Sequence, residues 1–196
     1  MNKHTWRKKT DAKLVTAARL RQLIRDQDGF ALGLVGFSGS FKHNPRPDAQ
    51  SITQRVLNSL IHQKIQKLAP RPLFLVSGAT NLGVPRIGYA AAIALGCPTV
   101  GVTAASAIGY AIASLDYLTV VGKRFGDESH AFISVIDELW AIGGGPQSKA
   151  ECQLALTYQL PVTIIQGIGG IADQLSPDTF PATYINADQH LHTHQT

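Results

Sequence analysis

Disulfide chemistry is nearly absent from this sequence, whose 196 residues include two cysteines, Cys97 and Cys152. Two cannot build a disulfide framework. Cys97 precedes Pro98 in an apolar stretch and Cys152 falls in a helical pattern, so both read as buried free thiols in a reducing, cytoplasmic setting. Charge is also sparse at 16% and aromatics stand at 7%, against 44% apolar residues. That balance excludes a disordered or fibrous chain, and the length suits one domain with a full core. No apolar stretch of signal-peptide length follows the basic N-terminus, and Asp11, Asp26 and Asp28 argue against a transit peptide. Residues 87–115 carry no charge, but Gly88, Gly96, Pro98, Gly101 and Gly109 interrupt them. They read as buried helix, strand and helix, with no membrane span.

Familiar cofactor signatures are missing too. No G-x-G-x-x-G follows the first strand with an acid about twenty residues on, and there is no Walker lysine. This disfavours a standard NAD-dependent dehydrogenase or a P-loop NTPase. No metal is expected: His190, His192 and His194 alternate near the end but read as part of a weakly ordered tail, 177–196. The net charge of +5 is concentrated in residues 1–28, where eight basic residues face three acidic ones. The remainder is balanced. We read 1–28 as a basic helical arm with an apolar stripe of Leu14, Val15, Ala18, Leu20, Leu23 and Ile24, dispensable for binding. Without interleaved aromatics or a nucleic-acid motif, the charges read as a solvated face.

What the chain does contain is a regular alternation. Apolar strands are expected at 30–37, 72–77, 99–103, 117–121, 138–142 and 161–165. Helical spacing of Ile52, Val56, Leu57, Leu60, Ile61, Ile65 and Leu68 predicts a helix over 49–68. Further helices are expected from Pro85 to about residue 95, after the strand 99–103, over 127–136 and from 146 to about 158. Strands apolar throughout and separated by helices indicate an α/β fold: a single doubly wound, mainly parallel, Rossmann-like sheet with helices on both faces. The core domain is expected over 29–176.

In such sheets ligands bind beyond the carboxyl ends of the strands. Four strands here end in small-residue turns: 36–40 (GFSGS), 77–83 (SGATNLG), 143–148 (GGGPQS) and 166–170 (QGIGG). Glycine lets the backbone approach an anion, and the following helix presents unpaired N–H groups. The candidate contacts are therefore Gly36, Ser38, Gly39, Ser40, Gly78, Ala79, Thr80, Asn81, Gly83, Gly143, Gly144, Gly145, Gln147, Ser148 and Gly169. They point to a small phosphate-bearing, nucleotide-like ligand. Arg86 and Lys149, in first helical turns, read either as phosphate clamps or as exposed charges. The 127–130 run (DESH) reads as acid/base chemistry or as Asp127 capping a helix. Asp173 could reach a ribose hydroxyl or cap a turn, and Trp140 reads as core.

The segment 143–151 (GGGPQSKAE) resembles the P-G-G-x-G-T-x-x-E motif of the LONELY GUY phosphoribohydrolases and lysine decarboxylase-like proteins. Gly144, Gly145, Ser148 (in place of Thr) and Glu151 fall in register, whereas Gly143 and Gln147 depart from it. Segments 77–88 and 167–173 are similar to the ligand-sensing SLOG domains of TRPM-type channels and bacterial relatives, a fold shared by molybdenum-cofactor carrier proteins. The resemblance runs over about 34–175. It implies a binding, carrier or sensor protein for an ADP-ribose-like or pterin ligand, or alternatively an N-glycosidase acting on nucleoside monophosphates with Glu151 as the catalytic carboxylate. The enzymes' Arg-Lys pair, about fifteen residues ahead of the motif, is replaced here by Glu128 and Ser129. Lys123 and Arg124 lie four or five residues too early, although a loop could bring one of them in. The expected partner is thus a small phosphate-bearing molecule, with no membrane or nucleic acid, in a homodimer or higher homo-oligomer.

Overall fold

The computed structural model describes residues 10–41, 44 and 46–193. In chain order the first half comprises β1 (Lys13–Leu14), α1 (Ala17–Asp26), β2 (Phe30–Gly36), α2 (Ala49–Leu68), β3 (Leu73–Ser77), α3 (Gly83–Ala94) and β4 (Thr99–Thr103). The second half comprises β5 (Tyr117–Val120), α4 (Ser129–Val135), β6 (Glu138–Ile142), α5 (Pro146–Thr157), β7 (Val162–Gln166), β8 (Thr183–Asn186) and α6 (Ala187–Thr193). All eight strands join one parallel sheet in the order β1-β5-β4-β3-β2-β6-β7-β8. From β2 the chain steps outward to β5, then returns to place β6 on the other side of β2. The strand order therefore reverses between β2 and β6. Two apolar layers cover the sheet. One packs α2, α3 and α6 against Leu32, Leu34, Leu75 and Ile142. The other packs α1, α4 and α5 against Ala31, Val35, Val76 and Ala141. Strands covered on both faces have no polar side to show, which is why they read as continuous apolar stretches.

Aspartates at the loops pin the elements. Asp137, just before β6, accepts the Ala31 N–H (2.8 Å) and the Arg21 guanidinium (2.6 Å), joining α1 to the central strands. Asp116 likewise accepts the Thr99 N–H at 2.8 Å ahead of β5. Cys97 and Cys152 are buried and free. Among the described residues no helix is long and apolar enough to cross a membrane.

Several expectations need correction. Residues 10–28 are not an arm apart from the domain. Leu14 belongs to β1, paired with Leu118, and the helix begins only at Ala17, where Thr16 Oγ1 caps the Arg19 N–H. Leu20 and Ile24 are fully buried in the core, and residues 1–9 lie outside the described residues. No helix follows β4 beyond a single turn over Ala105–Gly109. The chain instead runs extended beside the 79–81 turn, with the Asn81 N–H on Ala111 O (2.8 Å) and the Ala113 N–H on Ala79 O (2.9 Å). Asp127 does not cap α4. Its carboxylate accepts the N–H groups of Lys123 (2.8 Å) and Arg124 (3.0 Å), closing the loop before the helix. Nor is 177–193 a loose tail: β8 pairs with β7, α6 buries Ala187 and Leu191, and Arg46 grips Asp188 through two bonds of 2.8 and 2.7 Å. His190 and His192 lie on α6, and His190 Nε2 meets Ser59 Oγ at 2.9 Å. His194 lies outside the described residues.

Candidate functional site

A cleft of about 560 Å³ opens at the carboxyl edge, above the reversal between β2 and β6. That is the position at which open parallel sheets bind ligands, and the volume is that of a small-molecule site. Its floor and walls draw on the ends of β2, β3 and β4, on the turns after β2 and β3, on the approach to α4, and on the first two turns of α5. Pro146, Gln147 and Ser148 line it from the start of α5, where helix N–H groups have no intrahelical partner.

The turns are built by glycines in backbone conformations that side chains disfavour. Gly143 and Gly144 have φ of 64° and 81°, and a Cβ on Gly144 would lie 2.5 Å from Ser148 Oγ. The turn after β7 supports this loop from behind: the Ile171 and Ala172 N–H groups bond Gly144 O and Gly143 O, both at 3.1 Å. Asp173 holds that rear turn by accepting the Gly167 and Gly169 N–H groups, each at 2.8 Å, so its carboxylate is a turn cap. At α3, Gly83 (φ 55°) is pressed against the preceding loop, where a Cβ would come within 2.0 Å of Phe37 O. The Val84 N–H donates to that same oxygen at 2.6 Å, and Pro85 has no N–H, so the start of α3 offers a ligand little. Tyr89 donates to Gly78 O at 3.1 Å and anchors the β3 turn from below.

Two carboxylates stand in the cleft. Glu151, on the second turn of α5, is 7% exposed, and its Oε1 accepts Ser129 Oγ (3.0 Å) and Gln147 Nε2 (3.1 Å). The same Gln147 nitrogen lies 3.4 Å from Glu128 Oε1, and Glu128 Oε2 accepts the Gly126 N–H at 2.8 Å. Burial, assisted by the neighbouring Glu128 charge, pushes Glu151 up from 4.5 to about 7, against the hydrogen bonds that favour its charge. Burial raises Glu128 as well. Cys152, beside this pair, is pushed up to about 12 by burial and by Glu151, which keeps it a thiol.

Sequence patterns did not reveal the rest of the lining. Tyr110 and Phe125, 49% and 45% exposed, meet edge to face at 5.7 Å between ring centroids and line the cleft. Phe37 and Phe132 add further apolar wall. Thr80, 7% exposed, lines the cleft with a hydroxyl that has no hydrogen-bond partner among the described residues. No lysine or arginine among the described residues lines it.

Of the residues singled out from sequence, Gly36, Ser38, Gly39, Gly78, Thr80, Gly145, Gln147, Ser148 and Glu151 line the cleft. Ala79 is buried behind it, Gly83 supports the adjoining loop, and Gly143, Gly144 and Gly169 form the backing turns. Ser40, Asn81, Arg86 and Lys149 are exposed and outside the lining. Trp140 is core, its indole N–H on Glu138 Oε1 at 2.5 Å.

Comparison with solved structures places this architecture. The molybdenum cofactor binding protein of the phototrophic bacterium Rippkaea orientalis superposes with a TM-score of 0.62 at 18% identity, over 84% of this chain and 94% of that one. The fold is that of the molybdenum cofactor carrier proteins. The carrier protein of Chlamydomonas reinhardtii matches with a TM-score of 0.58 at 17% identity, over 84% and 95% of the two chains. The protein TM1055 matches equally well, with a TM-score of 0.58 at 18% identity over 84% and 97%. No protein-family model matches the sequence, and no curated protein matches it. At these identities the likeness is one of carrier-type fold, and the site must be argued from its own residues.

Proposed function

We propose that this protein binds a small phosphate-bearing ligand of nucleotide or pterin type in the cleft between β2 and β6, and acts as a carrier or sensor of it. The carrying observation is the position of the cleft, at the strand-order reversal and floored by the small-residue turns 36–39, 78–80 and 145–148. Backbone at Gly39, Gly78 and Gly145 is open there, since a Cβ on any of them would meet nothing within 4 Å. A phosphate could therefore be held by N–H groups and by the hydroxyls of Ser38, Thr80 and Ser148, with the helix dipole of α5 behind it. The neighbours named as molybdenum cofactor carrier and binding proteins support a pterin cofactor as the cargo. The free buried thiols support a reducing cytoplasmic setting.

A thermal-shift panel of nucleotides, ADP-ribose and pterins tests this. A ligand at 100 times its dissociation constant should add about 2.7 kcal/mol, or roughly 5–10 °C. No shift at millimolar concentration by any compound would refute the reading.

Glu151 is the observation that favours the alternative, an N-glycosidase, because a buried carboxyl near 7 suits proton transfer. Against it, no guanidinium or ammonium group among the described residues lines the cleft to stabilise the developing charge. Incubation with AMP should release no free base. Turnover of about 1 per second or faster would promote the glycosidase.

A further inference from the structure

Among the described residues neither Glu128 nor Glu151 forms a salt bridge. Their hydrogen bonds come from neutral donors, and both bonds to Glu151 fall on Oε1, leaving Oε2 without one. A pair of carboxylates repels phosphate and attracts N–H groups. A separate observation points to a ligand in the same space: the buried Thr80 hydroxyl lines the cleft and has no partner among the described residues. Thr80 lies on the turn leading to α3 on one face of the sheet, whereas Glu128, at the cap position before α4, and Glu151, on α5, lie on the other. A ligand filling the cleft thus meets the Thr80 hydroxyl and the β3 turn at one end, and at the other the two glutamates, bridged by the Gln147 amide and with Ser148 one turn away.

Resting on the ligand-binding reading above, we infer that Glu128 and Glu151 bind the N–H edge of a 2-amino-4-oxopyrimidine ring, as found in guanine and in pterins. That edge presents a ring N–H and an amino group side by side, a match for carboxylate oxygens. Adenine presents an acceptor nitrogen beside its amino group, which ionised glutamates repel, so the discrimination is largest above pH 7, where Glu151 is charged. The Tyr110–Phe125 pair at the rim supplies ring faces for the flat heterocycle. The cleft therefore selects guanine-like over adenine-like ligands.

The test is calorimetric titration of the full chain with two matched pairs, GMP against AMP and pterin against lumazine, in which a carbonyl replaces the amino group. The amino-bearing partner should bind about 10–100-fold tighter in at least one pair, because its analogue leaves a buried acceptor unpaired. E151Q should reduce that preference to within about threefold, with unchanged circular dichroism, and E128Q should weaken it. The titratable groups facing Glu151 are Glu128 and Cys152, while His130 meets Tyr158. Binding at pH 7 should release about half a proton from Glu151, read from heats in buffers of different ionisation enthalpy, and should not do so in E151Q. Equal affinities within both pairs, or a preference surviving both substitutions, would overturn the inference and leave the ligand-binding reading standing. If none of the four compounds binds, that reading fails and the inference with it. Should E151Q not fold, E128Q and the wild-type proton release decide.

Discussion

Replacing Glu151 by glutamine should stabilise the protein above neutral pH and not below it. The side chain is buried against Ser129, Gln147 and Glu128, and its carboxyl is raised from 4.5 to about 7. Because the folded value lies above the unfolded one, folding favours the protonated form. The associated stability is complete below pH 4.5 and is lost as pH rises through 7. At about 1.4 kcal/mol per pH unit, the ionised carboxylate costs the fold about 3 kcal/mol at pH 8. Glutamine keeps an oxygen for the Ser129 hydroxyl and the Gln147 amide and cannot ionise. The variant should therefore match the wild type at pH 5 and exceed it by up to about 3 kcal/mol at pH 8, roughly 6–12 °C in Tm for a chain of this size. Urea denaturation and calorimetry of both proteins at the two pH values measure the difference. Equal effects at pH 5 and pH 8, or a loss of stability at pH 8, would refute the account of a strained buried charge. A cost of this size in a residue that touches no cation is the kind that function sustains.

Glycines that look alike in sequence should behave differently. Gly83→Ala forces a left-handed alanine whose Cβ overlaps Phe37 O, so it should cost about 3 kcal/mol or more, whereas Gly78→Ala should leave stability within about 0.5 kcal/mol and weaken ligand binding; chemical denaturation and titration separate the two. Thr80→Val removes a buried hydroxyl that lacks a partner, so the free protein should gain about 1 kcal/mol while ligand affinity falls about tenfold, by thermal melts with and without ligand. A chain beginning at Gly29 loses the buried Leu20 and Ile24 and the Arg21–Asp137 pair; at about 1.5–3 kcal/mol for each apolar side chain its Tm should drop by 10 °C or more, and an unchanged melt would show that α1 is dispensable.

The central architecture was legible because its signals are strong. The bounds of α2 follow from periodicity, and those of β4 and β6 from short apolar stretches, the latter closed by glycine. The edges were not. A two-residue β1 that includes the charged Lys13 carries no pattern, and β8 is only half-buried, so neither resembles the interior strands. At the site, the glycine turns announced the cleft, since backbone geometry is written in local sequence. Tyr110, Phe125 and the Glu128–Glu151 pairing could not be seen, because they depend on loops brought together by the sheet. The Ser129–Glu151 bond spans 22 residues and exists only once α4 and α5 pack side by side.

That no lysine or arginine among the described residues lines the cleft has a consequence for how a ligand bound there, on the reading proposed above, would be kept and given up. Ion pairs at a surface are screened within about 8 Å at physiological ionic strength, whereas short hydrogen bonds inside a crevice hardly respond. Occupancy should then be nearly constant from dilute buffer to high salt. Unloading would answer to protonation of the glutamates or to contact with a recipient that moves the loops, and not to the ionic composition of the surroundings.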